Sequence, residues 1–527
     1  MPTTAGLRAQ GLGPPRTRSW ARGASALLVG APPALTFPAP SLWWLAPVSL
    51  VPWMLLLRTA GTWRRAAWEG WLGGMGFMLA VHHWLLPSLH VFTFVVAGLL
   101  GALWAPWGVL VRTLLTGGRT TTATDHQAAA HPRRYLAALV LLPSGWLMVE
   151  LVRSWEYLGG PWGLLGAGQW QVPPALRLAS VGGVWLVSAL IVVVNTALAE
   201  LVALPAARPP AVAALIVCAL VVGAAWWWAP LPRPAGSVRI ALVQPGDIPG
   251  PAPRLQRSEE LTRSLAGRGA RLVVWGESSV HRDLDSHPAV RTRLAALSAE
   301  VGAPVLLNVD GRRPGRPGIH KSSVLMGANG PIGERYDKMR LVPFGEYVPV
   351  RPVLGWATRV GRAAEENRLR GTRQVVMSVP GTDGPRVGPL VCFESAFPDM
   401  SRHLVQDGAD ILVGQSSTAT FQNSWAPAQH ASLAALRAAE TGRPMVHATL
   451  TGVSAVYGPR GEPVGPRLGT ETSGSAVYDV PLARGTTLYV RFGDWLLYAA
   501  VAALVATGTL TCARTIRRRE DSAASAT

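Results

Sequence analysis

Over the first 230 residues, long apolar stretches alternate with short breaks that carry arginine, glycine or proline. A bilayer span needs about 20 predominantly apolar residues, and about seven stretches approach that length. They lie near 24–39, 41–57, 67–88, 91–115, 135–152, 180–204 and 210–230, and Pro32, Pro33, Pro38 and Pro40 crowd the junction of the first two. An eighth apolar run, 493–512, follows a long mixed region. There the period changes: runs at 237–244, 271–275, 304–309, 322–326, 388–393 and 411–414 read as strands, whereas 253–268, 287–301 and 426–440 carry helical spacing. The pattern predicts a multi-pass α-helical membrane bundle joined to an α/β domain. Its divisions are a membrane region over 1–232, the α/β domain over 233–490, a last span over 491–513 and an arginine-rich tail over 514–527.

Arginine placement orients this bundle, because short loops rich in Lys/Arg stay on the cytoplasmic side. Arg8, Arg16, Arg18 and Arg22, then Arg58, Arg64 and Arg65, then Arg112, Arg119, Arg133 and Arg134, recur two spans apart. All three groups fit one side, which leaves 233–490 extracytoplasmic and returns Arg514 and Arg517 of the tail to the cytoplasm. Residues 153–171, RSWEYLGGPWGLLGAGQWQ, fall on the outer side, where Trp and Gly suit an interfacial or re-entrant segment.

Composition agrees. With 49% hydrophobic and only 15% charged residues, the chain is far below the roughly 25% charge of soluble domains. The net charge of +19 is then largely topology, so no nucleic-acid partner is expected. Three cysteines, Cys218, Cys392 and Cys512, are too few for a disulfide framework or a Cys-rich zinc site. The adjacent His82 and His83 cannot share a helix face at i, i+4, and no metal or other cofactor is expected. All but two of the 49 basic residues are arginine; Lys321 and Lys338 are the exceptions, which marks both as positions where a compact amine is needed.

Three residues share one local logic, a polar side chain where a buried-looking strand runs out, which is where open α/β sheets place chemistry. They are Glu277 after RLVVWG, Lys338 in RYDKMRLVPFGEYVP and Cys392 after GPLV. A thiol needs a base or a positive field before it attacks. Glu277 can take its proton, and Lys338 can stabilise an oxyanion.

The stretch YDKMRLVPFGEYVP over 336–349, WGES over 275–278 and VCFE over 391–394 resemble the nitrilase-type domain of apolipoprotein N-acyltransferases. The resemblance covers nearly the whole chain and implies an αββα sandwich held extracytoplasmically on a multi-pass bundle of the cytoplasmic membrane. It implies ping-pong acyl transfer through a Cys392 thioester, from a phospholipid donor to the α-amine of a diacylglyceryl-cysteine apolipoprotein. Glu277 matches the general base, Lys338 the oxyanion lysine, Glu346 and Glu394 supporting carboxylates, and Phe393 a position that is often Tyr. Pro161 and Trp162 are the candidate substrate-binding residues of the outer loop. Gly276 stands where the family commonly has Pro, an expected change of local turn only. The segment 415–423, QSSTATFQN, replaces an Asn-Asp-Ala-Trp-Phe-like run at a place expected to line the acceptor side. Gln429, His430 and Arg437 match as structural or rim residues. Two rivals remain: a membrane-anchored amidase or hydrolase of the same chemistry, and a non-catalytic membrane scaffold.

Overall fold

The computed structural model describes residues 16–116, 132–312, 318–355, 366–382 and 384–524. Arg8 and Arg119, counted above for orientation, lie outside them. Five helices among the described residues are long and apolar enough to cross a membrane: Phe92–Leu115, Arg133–Arg153, Pro173–Ala203, Pro205–Trp228 and Trp495–Arg517. A membrane protein follows. The first two apolar runs take another form. The helix Arg16–Gly30 stops before the proline cluster, and short 3-10 turns at Pro32–Thr36 and Trp43–Leu45 lead to the short helix Val51–Arg58. Proline cannot donate to a helix ladder, which is why this stretch does not become two full spans.

The helix Trp63–His82 is the hub of the bundle, because its glycines admit neighbours at backbone distance. A Cβ on Gly73 would stand 2.1 Å from the Trp53 ring, and one on Gly70 would stand 2.6 Å from the Trp104 carbonyl oxygen. The space so created is filled by Trp53, Trp104, Trp107 and Trp146, whose ring centroids lie 5.0–6.2 Å apart. Within residues 153–171, Leu165–Gln169 forms a buried 3-10 turn against the helix Pro173–Ala203. Non-helical backbone among membrane helices is tolerated where protein covers it. Here the Ser188 hydroxyl oxygen accepts the Gly166 N–H at 2.9 Å, and the Glu150 carboxylate accepts the Leu165 N–H at 2.7 Å.

The domain that follows is two mixed sheets face to face. One runs Gly474–Arg484, Arg233–Gln244, Leu272–Trp275, Val305–Gly311, Ile319–Gly327 and Gly330–Pro331; the other runs Ala455–Tyr457, Met445–Thr449, Ile411–Ser416, Arg386–Val391 and Met377–Ser378. The central strands of each are parallel and the outer ones antiparallel. Strand alternation sorts the core. Ile240, Leu242, Leu272 and Val274 meet Val391, Ile411, Val413 and Val446 between the sheets. Ala241, Val243, Val273 and Trp275 face the helices Pro251–Arg263 and Pro288–Val301 on the outside. On the far side Leu390, Leu412 and Met445 pack with the helices Pro398–Gln406 and Ala426–Thr441. The layers are therefore α, β, β, α.

That last helical layer shares one apolar core with the membrane helices. The join is specific. The helix Pro173–Ala203 breaks at Gly182 and Gly183 (φ 67°), where Tyr489 lies close enough to exclude a side chain. The Val184 N–H freed by the break donates to the Glu440 carboxylate at 2.8 Å. Burial pushes that carboxyl up to about 7, opposed by Arg437. Arg437 in turn donates to the Ala396 carbonyl at 2.8 Å, in the turn that carries Cys392.

Candidate active site

Cys392 ends the strand Arg386–Val391 and opens the 3-10 turn Cys392–Ala396 with φ 51°. A left-handed backbone at a residue with a Cβ costs of order 1–3 kcal/mol and marks sites where the surroundings over-determine the geometry. Those surroundings are in place. Glu394, fully buried, accepts the Val391 N–H at 2.7 Å, the Tyr336 hydroxyl at 2.7 Å, and the Met339 and Arg340 N–H groups at 2.7 and 3.0 Å. One carboxylate thus ties the cysteine turn to the segment that presents Lys338. From the other side, His430 Nε2 lies 3.0 Å from the Cys392 carbonyl and 2.9 Å from the Ser395 hydroxyl. Burial pulls His430 down to about 4, so its ring is neutral at pH 7.

Glu277 follows the strand Leu272–Trp275, and Lys338 follows the short strand Tyr336–Asp337. The Lys338 ammonium, 1% exposed, donates to Glu277 Oε1 at 3.1 Å and to Glu346 Oε1 at 2.8 Å. Glu346 Oε2 is held by the Val342 N–H at 2.8 Å, within the LVPFGEYVP loop. A residue that sequence reasoning had not placed in the site completes it. Lys321, on the strand Ile319–Gly327, donates to the same Glu277 Oε1 at 3.0 Å. The signal that could have found it was its rarity as one of two lysines in an arginine-rich chain.

Electrostatics fix the resting protonation. Burial pushes Glu277 up, but the ammonium groups of Lys321 and Lys338 outweigh it and hold the carboxyl at about 2. Burial, then the negative Glu277, push the Cys392 thiol up to about 12 against the pull of Lys338. The resting pair is thiol and carboxylate, so the thiol loses its proton only as its sulfur bonds to an electrophile. Burial lowers Lys338, and Glu277, Glu346 and Cys392 more than restore it, to well above the ordinary lysine value. It therefore stays a cation that can face a developing oxyanion.

The other candidates take supporting places. Phe393 packs edge-on against Phe397 at 4.9 Å, and both rings close over Gly160, where a Cβ would meet them at 2.6 and 2.7 Å. Pro161 is buried next to it. The Trp162 indole donates to Gln429 Oε1 at 2.8 Å and lies 5.3 Å from the His430 ring. Trp84 donates to that same oxygen at 3.1 Å, so two membrane-side loops meet one amide behind the cysteine turn. Gln415 and Ser416 end the strand Ile411–Ser416. Gln415 bridges the sheets, accepting the Ser323 hydroxyl at 2.6 Å and donating to the Trp275 and Leu306 carbonyls at 2.8 and 3.2 Å. The later part of 415–423 reaches the membrane-side loops, with Phe421 against Trp84 at 4.8 Å.

Gly276 has a larger role than a change of turn. A Cβ there would stand 2.0 Å from the Leu450 nitrogen and 2.4 Å from the Thr449 carbonyl carbon, so only glycine lets the Glu277 segment lie on the 449–450 backbone. Gly276→Ala is expected to displace Glu277 and lower turnover at least about tenfold, since small misplacements of reacting groups cost up to about 100-fold. Comparing its turnover with that of Gly61→Ala, an exposed glycine whose Cβ would meet nothing within 4 Å, checks this; equal rates would count against the packing argument.

A half-buried cysteine on a strained turn, a carboxylate and a lysine, set in an αββα sandwich on membrane helices, define a membrane-held nitrilase-type acyl-transfer enzyme. Comparison with known proteins makes it particular. Residues 239–489 match the carbon-nitrogen hydrolase family, and residues 29–197 match the apolipoprotein N-acyltransferase N-terminal domain. Apolipoprotein N-acyltransferase of Geobacter metallireducens is 29% identical over 90% of this chain and 92% of its own. That of Azotobacter vinelandii is 29% identical over 96% of this chain and 97% of its own. Among solved structures, an amidase of the nitrilase superfamily from Nesterenkonia AN1 matches 51% of this chain and 98% of its own at 20% identity, with a TM-score of 0.36. The chain belongs to the apolipoprotein N-acyltransferase family of enzymes.

Proposed function

We propose that this enzyme moves an acyl chain from a membrane phospholipid to the N-terminal amine of a diacylglyceryl-cysteine apolipoprotein, through a thioester on Cys392. The observation that carries the reading is the convergence of Glu277, Lys338 and Cys392 on a turn whose supports, His430, Arg437 and Glu440, run directly into the membrane helices. Both substrates are lipids, and this is a site built at a lipid surface. Cys392 Sγ attacks the ester carbonyl while Glu277 takes the thiol proton, and Lys338 stabilises the oxyanion. Collapse expels the lysophospholipid alkoxide, which takes the proton back from Glu277. The acceptor amine then attacks the thioester, Glu277 removes its proton, and the departing thiolate regains one as the amide is released.

The arginine distribution supports placement in the cytoplasmic membrane, with 233–490 extracytoplasmic, 1–232 and 491–513 in the bilayer, and the tail 514–527 inside.

The test is mass spectrometry of a diacylglyceryl-cysteine peptide incubated with the purified full-length protein and phospholipid. The expected result is one added amide-linked chain, preceded by a hydroxylamine-labile acyl group on Cys392. An adduct without peptide product would point to water as the acceptor and the hydrolase reading. The absence of both in folded protein would overturn the proposal.

A further inference from the structure

Glu277 holds two lysines on one oxygen. Lys338 and Lys321 both donate to Oε1, at 3.1 and 3.0 Å, and among the described residues no hydrogen bond reaches Oε2. The second lysine is anchored independently of the first. Its ammonium also donates to Ser278 Oγ at 2.8 Å, and that hydroxyl donates to Asp310 Oδ2 at 2.8 Å. Asp310 and Glu346 stand 3.7 and 3.6 Å from it. Ser278 takes φ 53°, so the backbone directly after the base is held in the left-handed region with its hydroxyl on this lysine. A further tie is in the backbone, where the Lys338 N–H donates to the Lys321 carbonyl at 2.8 Å. Without Lys321, the buried carboxylates Glu277 and Glu346 would keep Lys338 as their one lysine, and Asp310 would lose its lysine contact.

We infer that Lys321 is a second positioning residue, which with Lys338 fixes Oε1 of Glu277 and leaves Oε2 to take the proton from Cys392 and later from the acceptor amine. The inference rests on the acyl-transfer reading for its chemistry. A carboxylate with both oxygens free to rotate would share its lone pairs with either lysine; one clamped at Oε1 presents a single basic oxygen. Glu277 faces Lys321, Lys338, Cys392 and His430, and Lys321 also faces Asp310, Glu346 and His281. Burial lowers Lys321, but Glu277, Asp310 and Glu346 raise it above the ordinary lysine value, so it remains charged throughout the working range.

The test compares wild type, Lys321→Met and Lys321→Arg as full-length protein in phospholipid nanodiscs. Single-turnover acylation of Cys392 is measured against pH, as is alkylation of the same thiol by iodoacetamide. Wild type should show no acid limb from Glu277 above about pH 4. In Lys321→Met the limb should rise by about 1–3 pH units, the effect of losing one adjacent opposite charge. Loss of the cation should also slow thiol alkylation near pH 8, by roughly tenfold for each unit the thiol rises. Lys321→Arg should restore both profiles in large part. A Lys321→Met profile of wild-type shape, merely scaled down, would make Lys321 a structural residue and overturn the inference. Absence of any acyl adduct on wild type would instead overturn the acyl-transfer reading. The alkylation profiles still decide the electrostatic coupling in that case, and an unchanged Lys321→Met alkylation profile overturns it.

Discussion

Cys392→Ala should form no acyl-enzyme and transfer no chain, a loss of roughly 10^6-fold of the kind seen when an acyl-transfer nucleophile is deleted. Cys392→Ser should leave at most a trace, because burial and Glu277 already push the better acid, the thiol, up to about 12. An alcohol in the same surroundings is harder still to ionise. The φ of 51° adds a prediction about stability, because alanine keeps the left-handed strain while glycine relieves it. Cys392→Gly should therefore be inactive yet more stable than Cys392→Ala by about 1 kcal/mol. Intact-mass detection of the adduct and thermal melts of the three variants check both statements. Full turnover by Cys392→Ala would sink the thioester mechanism.

Much of this architecture was written in the periodicity. Every apolar run read as a strand, from 237–244 to 411–414, falls on an observed strand, because strands of the inner layers bury both faces and therefore stand out. Seven of the thirteen strands among the described residues did not stand out, five of them only two or three residues long. Met445–Thr449 is short and carries His447 and Thr449, and Gly474–Arg484 contains Pro481 and Asp479, which an edge strand tolerates. The opening 24–57 misled for a different reason: apolarity measures affinity for lipid, while the prolines decide whether a helix can run. Within the site, Glu277, Lys338 and Cys392 each announced themselves as a polar residue at a strand end. Lys321 could not be placed the same way, since its strand reaches Glu277 only through the sheet order. Gly276 was equally opaque. Its need for glycine arises from the 449–450 backbone, more than 170 residues away in sequence.

Lys338→Met is the second large effect, and it should cost stability as well as rate. The ammonium is the shared donor to Glu277 and Glu346, both buried, and removing it leaves carboxylates with one cation fewer. Breaking a buried pair from one side costs about 3–5 kcal/mol. Loss of an oxyanion donor costs roughly 100- to 1,000-fold in rate. The two losses separate in a cycle. Glu277→Gln alone should also lose about 100-fold or more, as removal of a general base does. Combined with Lys338→Met, it should recover part of the stability, because one of the carboxylates left with a cation fewer has gone, and recover none of the rate. The pH dependence follows the same pair. Glu277 falls from its ordinary 4.5 to about 2 on folding, so its contribution is complete above pH 4.5 and disappears as pH falls towards 2. Lys338 is raised above 10.5, so its contribution is complete below that pH and disappears as pH rises through the higher folded value. Between those limits the pair is fully charged, and the wild-type protein should lose stability on acidification below about pH 4.5 more steeply than Glu277→Gln does. Chemical denaturation of both proteins across that range measures the difference. Parallel curves would mean that the lysines hold Glu277 less tightly than the two contacts at 3.0 and 3.1 Å imply.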